Sequence, residues 1–322
     1  MLLKLIREQG NTLSEFQKLN DLETLRCLKP RLEIKSRLFS AIRNYFELDG
    51  FIGIETPVMI DAPAPEEYIE APSVNSMFLR TSPELQMKRM LAAGYENIYQ
   101  IGSCFREGEV GQFHRVEFTM LEWYEVGANY TDLMNFTCRM LSSISETLFQ
   151  SQCCEFKGHF IDFGNGYEQI TVHEAFAKYT DTSPEQALAD DSFDELLVDL
   201  IEPKLGLTRP TILKDYPAQC AALSRLKADN STIAERWELY LGGIEIANAY
   251  SELTDPVIQR QRFAESIEHR RKTGYKEYPR ATEFFEAIDS GIPESAGCAL
   301  GLDRLTMIFT NSHTIADVVF PQ

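Results

Sequence analysis

Residues 104–124 read CFREGEVGQFHRVEFTMLEWY, and with IYQIGS (98–103) before them they decide the fold. From Ile98 to Arg106 the chain alternates. Tyr99, Ile101, Ser103 and Phe105 fall on one face. Gln100, Gly102, Cys104 and Arg106 fall on the other, which is small or polar until the arginine. A strand with one apolar and one small polar face suits a sheet that lines a ligand. Residues 107–115 (EGEVGQFHR) form a glycine-containing turn, and Glu117–Val126 returns as a second strand, so the stretch is a long hairpin. Its alternation puts Phe118, Met120, Glu122 and Tyr124 on one face. Arg106 ends the first strand on its polar face, where a guanidinium fork can hold phosphate or carboxylate. Alone, Arg106 reads first as a surface or ion-pair residue, and His114 as a surface loop histidine.

Further out lies ERWELYLGGIEIANAYSEL (235–253), in which Trp237 to Tyr250 reads as two strands around Gly242–Gly243 and Glu238, Glu245 and Glu252 stand at intervals of seven. If these glutamates share one cavity, their like charges demand a cation, either a divalent ion with phosphates or a substrate amine. The plainer alternative is a solvated acidic rim. Residues 297–309 begin with a glycine-rich strand, GCALG, and continue as an apolar helix carrying Arg304, a second possible anion holder. Ser82-Pro83-Glu84 precedes the helical LQMKRMLAAG, and either Thr81 or Ser82 could simply cap that helix. Upstream, Ile34, Leu38, Ala41, Ile42, Tyr45 and Phe46 share one helical face from Glu33 onward, and Gly50 stands where a C-terminal cap belongs. FIGIETP (51–57) reads as a short strand, and 61–76, with three prolines, as an irregular loop. Residues 130–150 read as helix, 155–170 as a hairpin with Asn165-Gly166 as its turn, 173–205 as acidic helix, and 256–271 as charged helix. Residues 1–30 read as a short leader ending at Pro30, and no linker divides the rest. The hairpin signals favour an α/β fold of the α+β type, with a mixed, mostly antiparallel sheet flanked by helices.

The chain has 322 residues, and 49 acidic against 31 basic residues leave a net charge of −18. That speaks against a general nucleic-acid binder, which needs a basic surface, while leaving room for one basic cavity. No apolar run approaches the ~20 residues of a membrane helix, so no membrane association is expected. Seven cysteines form no CxxC pair, which fits reduced thiols and a cytoplasmic setting.

Taken together, the pieces resemble the three signature motifs of class II aminoacyl-tRNA synthetases, in order: GFIGIETP (50–57), CFREGEVGQFHRVEFTMLEWY (104–124) and GCALGLDRLTM (297–307). The details are similar to the lysyl branch, and the resemblance runs from about residue 31 to 322. Lysyl-tRNA synthetases of bacterial type carry a large anticodon-binding barrel before this domain, and the 30 preceding residues are too few for one. The chain therefore resembles the elongation factor P–(R)-β-lysine ligase family. Ser82 and Ala299, where lysyl-tRNA synthetases usually have alanine and glycine, point the same way. The resemblance implies that ATP and (R)-β-lysine or lysine react to an adenylate, which a lysine ε-amine of elongation factor P then attacks. It implies that Arg106 bridges carboxylate and α-phosphate, that Arg304 holds the terminal phosphate, and that Phe118 stacks on adenine. Glu245, Ile246, Asn248 and Gly301 would line the nucleotide site, together with the turn residues Glu107, Gly108, Glu109 and His114. Glu238 and Glu245 would hold Mg²⁺. Glu252 and Tyr124 would receive the distal ammonium, and Glu84 and Glu122 the other amine, in a pocket that includes Ser82, Pro83 and Ala299. Two departures stand out: the usual Phe-Arg-Asn-Glu is Phe105-Arg106-Glu107-Gly108-Glu109, so Glu107 or Glu109 must replace a glutamate, and His114-Arg115-Val116-Glu117 replaces His-Asn-Pro-Glu.

The first motif implies a homodimer, although the face at Ile34, Leu38 and Ile42 could equally pack inside its own domain. Two other functions are compatible with the motifs: acylation of tRNA or of a small molecule, and a catalytically inactive regulatory paralogue. The charge speaks against tRNA, and an inactive copy would have no physical need for Arg106, Glu238, Glu245, Glu252 and Arg304 together.

Overall fold

The computed structural model describes residues 21–321. Its first element is α1 (Asp21–Leu48), whose buried positions Leu28, Ile34, Leu38, Ile42 and Phe46 recur at helical spacing. The helix expected from Glu33 thus begins at Asp21 and passes through Pro30, so the chain does not break where a leader was expected to end. A proline inside a helix forfeits one backbone hydrogen bond. Burial of Leu28 and Ile34 on either side of it offsets that loss. The leader residues before Asp21 lie outside the described residues. The apolar face at Ile34, Leu38 and Ile42 is covered by the chain itself.

After α1 come the short strands β1 (Ile52–Gly53), β2 (Met59–Ile60), β3 (Ser73–Val74) and β4 (Met77–Leu79), then α2 (Glu84–Ala92) and the expected hairpin, β5 (Asn97–Phe105) and β6 (Glu117–Val126). Next are α3 (Tyr130–Phe149), β7 (Cys153–Phe156), β8 (His159–Asp162) and β9 (Glu168–Thr171). The hairpin of this region turns at Lys157-Gly158, both at positive φ, and not at Asn165-Gly166. Asn165 instead lies in a loop whose amides are taken by the Asp162 side chain. The acidic stretch is broken into α4 (Val172–Tyr179), α5 (Pro184–Ala189), α6 (Phe193–Leu196) and a wide helical turn over 197–201. Then follow β10 (Thr211–Pro217), β11 (Ile233–Leu241), β12 (Ile244–Ser251), α7 (Pro256–Thr273), α8 (Thr282–Ser290), β13 (Ser295–Gly301) and α9 (Leu302–Phe309).

Eight strands form one sheet in the order β1-β5-β6-β13-β12-β11-β10-β9. The outermost pair at each edge is parallel, and the five inner pairings are antiparallel. The mostly antiparallel architecture is therefore the one the hairpins called for. One face buries Tyr99, Leu121, Trp123, Trp237, Leu239 and Ala249 in a core shared with Phe46 of α1, Phe136 and Met140 of α3, and Leu305 of α9. The opposite face carries the site. Residues directly opposite across antiparallel strands share a face. The register lines up Gln100, Glu122, Ala299, Asn248 and Glu238 in one row, and Ile98, Tyr124, Gly297, Tyr250 and Arg236 in the next.

Candidate active site

These rows floor a cavity of about 420 Å³. Of the sequence-derived candidates, Ser82, Glu84, Arg106, Glu109, His114, Phe118, Glu122, Tyr124, Glu238, Glu245, Ile246, Asn248, Ala299, Gly301 and Arg304 line it. Four others do not. Glu107 is drawn aside by an ion pair with Lys276. Gly108, at φ +81°, serves the turn. Pro83 precedes α2 at its N-terminal end. Glu252 lies just behind the floor: a Cβ on Gly297 would stand 2.5 Å from its Oε1. Among the two turn glutamates it is Glu109 that faces Arg106, at 3.6 Å.

One end of the cavity is an acid-rich nest. Glu122 accepts from Tyr124 Oη (2.7 Å) and Ser82 Oγ (2.8 Å), and Glu84 accepts from Tyr250 Oη (2.5 Å). Ser82 Oγ also accepts from the Glu84 amide at 3.0 Å; the N-cap position itself is Pro83 rather than Ser82 or Thr81, so the hydroxyl holds the first amide of α2 and orients Glu122. Sequence reasoning missed Lys88. It is one turn after Glu84 on α2, 2% exposed, and its Nζ lies 2.6 Å from Glu84 Oε1 and 2.5 Å from Glu252 Oε2. Burial opposes the ammonium, but Glu252 and Glu84 outweigh it and hold Lys88 above the usual lysine value. Burial pushes Glu122 up to about 7, with Glu84 adding to it, and pushes Glu252 up to about 8 despite Lys88. The Glu84, Glu122 and Glu252 carboxylates against one ammonium leave two negative charges when all are ionised.

The other end is cationic. Arg106 lies over the Phe118 ring, 5.2 Å from its centroid, and its buried Nε has no acceptor among the described residues. Such an orphan donor in a cleft calls for an anion. Arg304 is fixed by the Glu245 carbonyl (2.8 Å) and carboxylate (3.1 Å), and its Nη2 meets His114 Nε2 at 2.5 Å. Burial and Arg304 hold His114 below its ordinary value, so it stays neutral and accepts this bond. Asp303 ties α9 to α1 through Lys35 (2.6 Å) and to the hairpin through the Thr119 amide (2.7 Å), which fixes where Arg304 begins.

Beside these arginines, at the same end, stand two further carboxylates, Glu238 and Glu245. Glu238 accepts from Tyr216 Oη (2.6 Å), Tyr240 Oη (2.6 Å) and Arg236 Nη2 (2.6 Å). Glu245 has Arg304 on one oxygen. A carboxylate offers about four lone-pair sites, so both retain acceptor capacity. Two carboxylates fit a Mg²⁺ ion that brings phosphate oxygens with it. Among the described residues no group of three or more His, Cys, Asp or Glu side chains could hold a metal by itself. Arg236, Tyr216, Tyr240, Tyr250 and Glu66 also went unread in the sequence; each gains its meaning only from register or from a distant loop.

The fold is thus a mostly antiparallel sheet with a partly buried arginine just after the first strand of its long hairpin, and a second arginine at the head of the helix after its glycine-rich strand. The tRNA synthetases class II (D, K and N) family profile matches residues 17–322, and the chain belongs to that family. It is 34% identical over 316 residues to the lysine–tRNA ligase of Legionella pneumophila (strain Lens), covering 89% of this chain and 63% of that protein. It is likewise 34% identical over 320 residues to that of Yersinia pestis (strain Pestoides F), covering 90% of this chain and 62% of that protein. The chain thus spans less than two thirds of the length of these relatives. Among the described residues no helix is long and apolar enough to cross a membrane.

Proposed function

We propose that the protein activates (R)-β-lysine, or lysine, with ATP as an aminoacyl adenylate and transfers it to a lysine ε-amine of elongation factor P. The observation that carries the reading is the charge of the acid-rich nest. With all three carboxylates ionised, as two bound ammonium groups would make them, its two net negative charges match the two ammonium groups of a diamino acid. The carboxylate of that amino acid then falls toward Arg106, whose Nε has no acceptor among the described residues. In this reading Glu252 and Tyr124 take the distal ammonium, and Glu84 and Glu122 the nearer one. Ser82 and Ala299 both border Glu122, the first by a hydrogen bond and the second by cross-strand register. They would adjust where that nearer amine sits, which supports a β-amino acid.

The amino-acid carboxylate attacks the α-phosphorus, and pyrophosphate leaves. Positioning and charge neutralisation supply most of the acceleration of such transfers. Arg106 holds carboxylate and α-phosphate together, Phe118 stacks on adenine, and Arg304, kept in place by Glu245 and neutral His114, holds the terminal phosphate. Ile246, Asn248 and Gly301 complete the nucleotide walls. Glu238 and Glu245 would hold Mg²⁺, which supplies neutralisation of phosphate charge. A homodimer in the cytoplasm is part of the same proposal. Ile52 (53% exposed) and Met59 (42%) stand on β1 and β2, and β1 is an edge of the large sheet, which a second copy would cover. Light scattering that gives only monomer mass would refute the dimer.

The named relatives favour a second reading, in which tRNA is the acceptor. One experiment separates the two. Pyrophosphate exchange with lysine and (R)-β-lysine measures activation, and labelled amino acid is then offered to elongation factor P and to tRNA for lysine side by side. Label on elongation factor P is expected; label on the tRNA alone would overturn the proposal.

A further inference from the structure

We propose that a second cavity beside the first is the passage by which the acceptor's lysine side chain reaches the activated carbonyl, an inference that rests on the ligase reading. This cavity has a volume of about 410 Å³ and shares Glu66, Ile69, Ala222, Leu223 and Arg236 with the first. Its outer wall comes from residues 188–194 of the acidic 181–205 stretch. Leu188, Phe193 and Phe263 give it apolar sides, while Glu67, Asp191 and Asp194 give it acidic ones. Apolar sides with acidic groups suit a long aliphatic stem that carries an ammonium.

The two arginines in the walls do not cancel this field, because Glu238 neutralises Arg236 and the single charge of Arg262 is outnumbered by Glu66, Glu67, Asp191 and Asp194. Arg236 pairs with Glu238 at 2.6 Å and donates to the Cys220 carbonyl at 2.7 Å. Arg262 clamps the carbonyls of Ala222 (2.7 Å) and Ser224 (2.5 Å), pinning the turn that separates the cavities. An ammonium is attracted by the remaining acids, whereas the phosphates of an RNA are repelled. A protein lysine is therefore the acceptor that this passage fits.

Glu66 stands at the junction. Its loop is strapped from behind by Arg270, 1% exposed, which donates to the carbonyls of Glu66 and Ile69. Its Oε1 accepts from Thr81 Oγ1 at 3.3 Å, and Arg106, Glu84 and Glu109 are the charged groups around it. The ammonium thus arrives beside Arg106, where the adenylate carbonyl forms. There Glu66 takes one proton from it. The freed nitrogen forms the C–N bond while the C–O bond to AMP breaks, and the second proton leaves with the AMP phosphate. Burial raises the Glu66 carboxyl, with Arg106 pulling the other way, which strengthens it as an acceptor.

The test uses the full chain with Asp194→Lys, which reverses charge, and Ser266→Trp, which fills the passage from α7. Pyrophosphate exchange should stay within about twofold of wild type, which also reports an intact fold. Transfer to elongation factor P and to Nα-acetyl-lysine amide should fall about tenfold or more. For Glu66→Gln, the ratio of lysine transfer to trapping by hydroxylamine, a small neutral nucleophile, should fall about tenfold or more. Undiminished transfer in both passage variants would overturn the inference alone, as would equal losses of exchange and transfer. Charging of tRNA that the variants do not impair would overturn it as well. A wild type without any exchange would overturn the ligase reading and this inference with it.

Discussion

Binding of the diamino acid should release protons, and the amount follows from the nest. Glu122 titrates at about 7 and Glu252 at about 8 in the ligand-free protein, both raised by burial. An ammonium placed against each carboxylate returns it to well below 6. At pH 7 Glu122 is then about half protonated and Glu252 about nine-tenths, so binding releases about 1.4 protons. The release falls to about 0.6 at pH 8 and about 0.1 at pH 9, and linkage makes affinity rise about tenfold from pH 7 to 8. Isothermal calorimetry in buffers of different ionisation enthalpy measures this directly, and Glu122→Gln should remove about half a proton of the pH 7 value. Stability of the ligand-free protein carries the same signature. Both folded-state values lie above the ordinary carboxyl value of 4.5, so this contribution to stability is complete below about 4.5 and is lost as pH rises through about 7 to 8. The thermal midpoint should therefore fall between pH 6 and 9, and saturating diamino acid should reduce that fall. Proton uptake, or release that does not depend on pH, would refute the charge-matching argument.

Gly297→Ala would put a Cβ 2.3 Å from the Tyr124 ring and 2.5 Å from Glu252 Oε1, so both must move by about 1 Å. Overpacking of this size costs ~1–3 kcal/mol, and a 1 Å misplacement lowers rate ~10²-fold; pyrophosphate exchange and thermal melts check the pair. Ser82→Ala with Ala299→Gly should shift preference from (R)-β-lysine toward lysine by ~1–3 kcal/mol, read as the ratio of exchange kcat/KM for the two substrates. Arg106→Ala should lower exchange ~10²–10³-fold or more while near-ultraviolet circular dichroism stays as in wild type; retained exchange would remove Arg106 from the chemistry.

What was legible in the sequence is what a single strand or helix encodes by itself. The alternation of 98–106 and 117–126 separates a core face from a site face, and Gly297–Arg304 shows a strand running into a helix. The antiparallel fold follows from those hairpins. What was not legible depends on partners far along the chain. Glu107 and Glu109 differ by two positions, and only Lys276 decides that Glu107 turns outward while Glu109 faces Arg106. Pro30 reads as a boundary until the core that swallows Leu28 and Ile34 is assembled. Lys88 drew no reading from the sequence at all. Its i,i+4 spacing from Glu84 was a visible signal, but the spacing alone describes a surface pair. It becomes a buried counter-charge only because β12 carries Glu252 to the same point. The reading of Glu238, Glu245 and Glu252 as one cation-hungry set is altered for the same reason. Register gives Glu238 and Glu245 to the nucleotide end and Glu252 to the amino-acid end, each with its own arginine or lysine. A spacing of seven along two strands therefore serves two charge problems, one at each end of the cavity. Only the pairing across β11, β12 and β13 tells them apart.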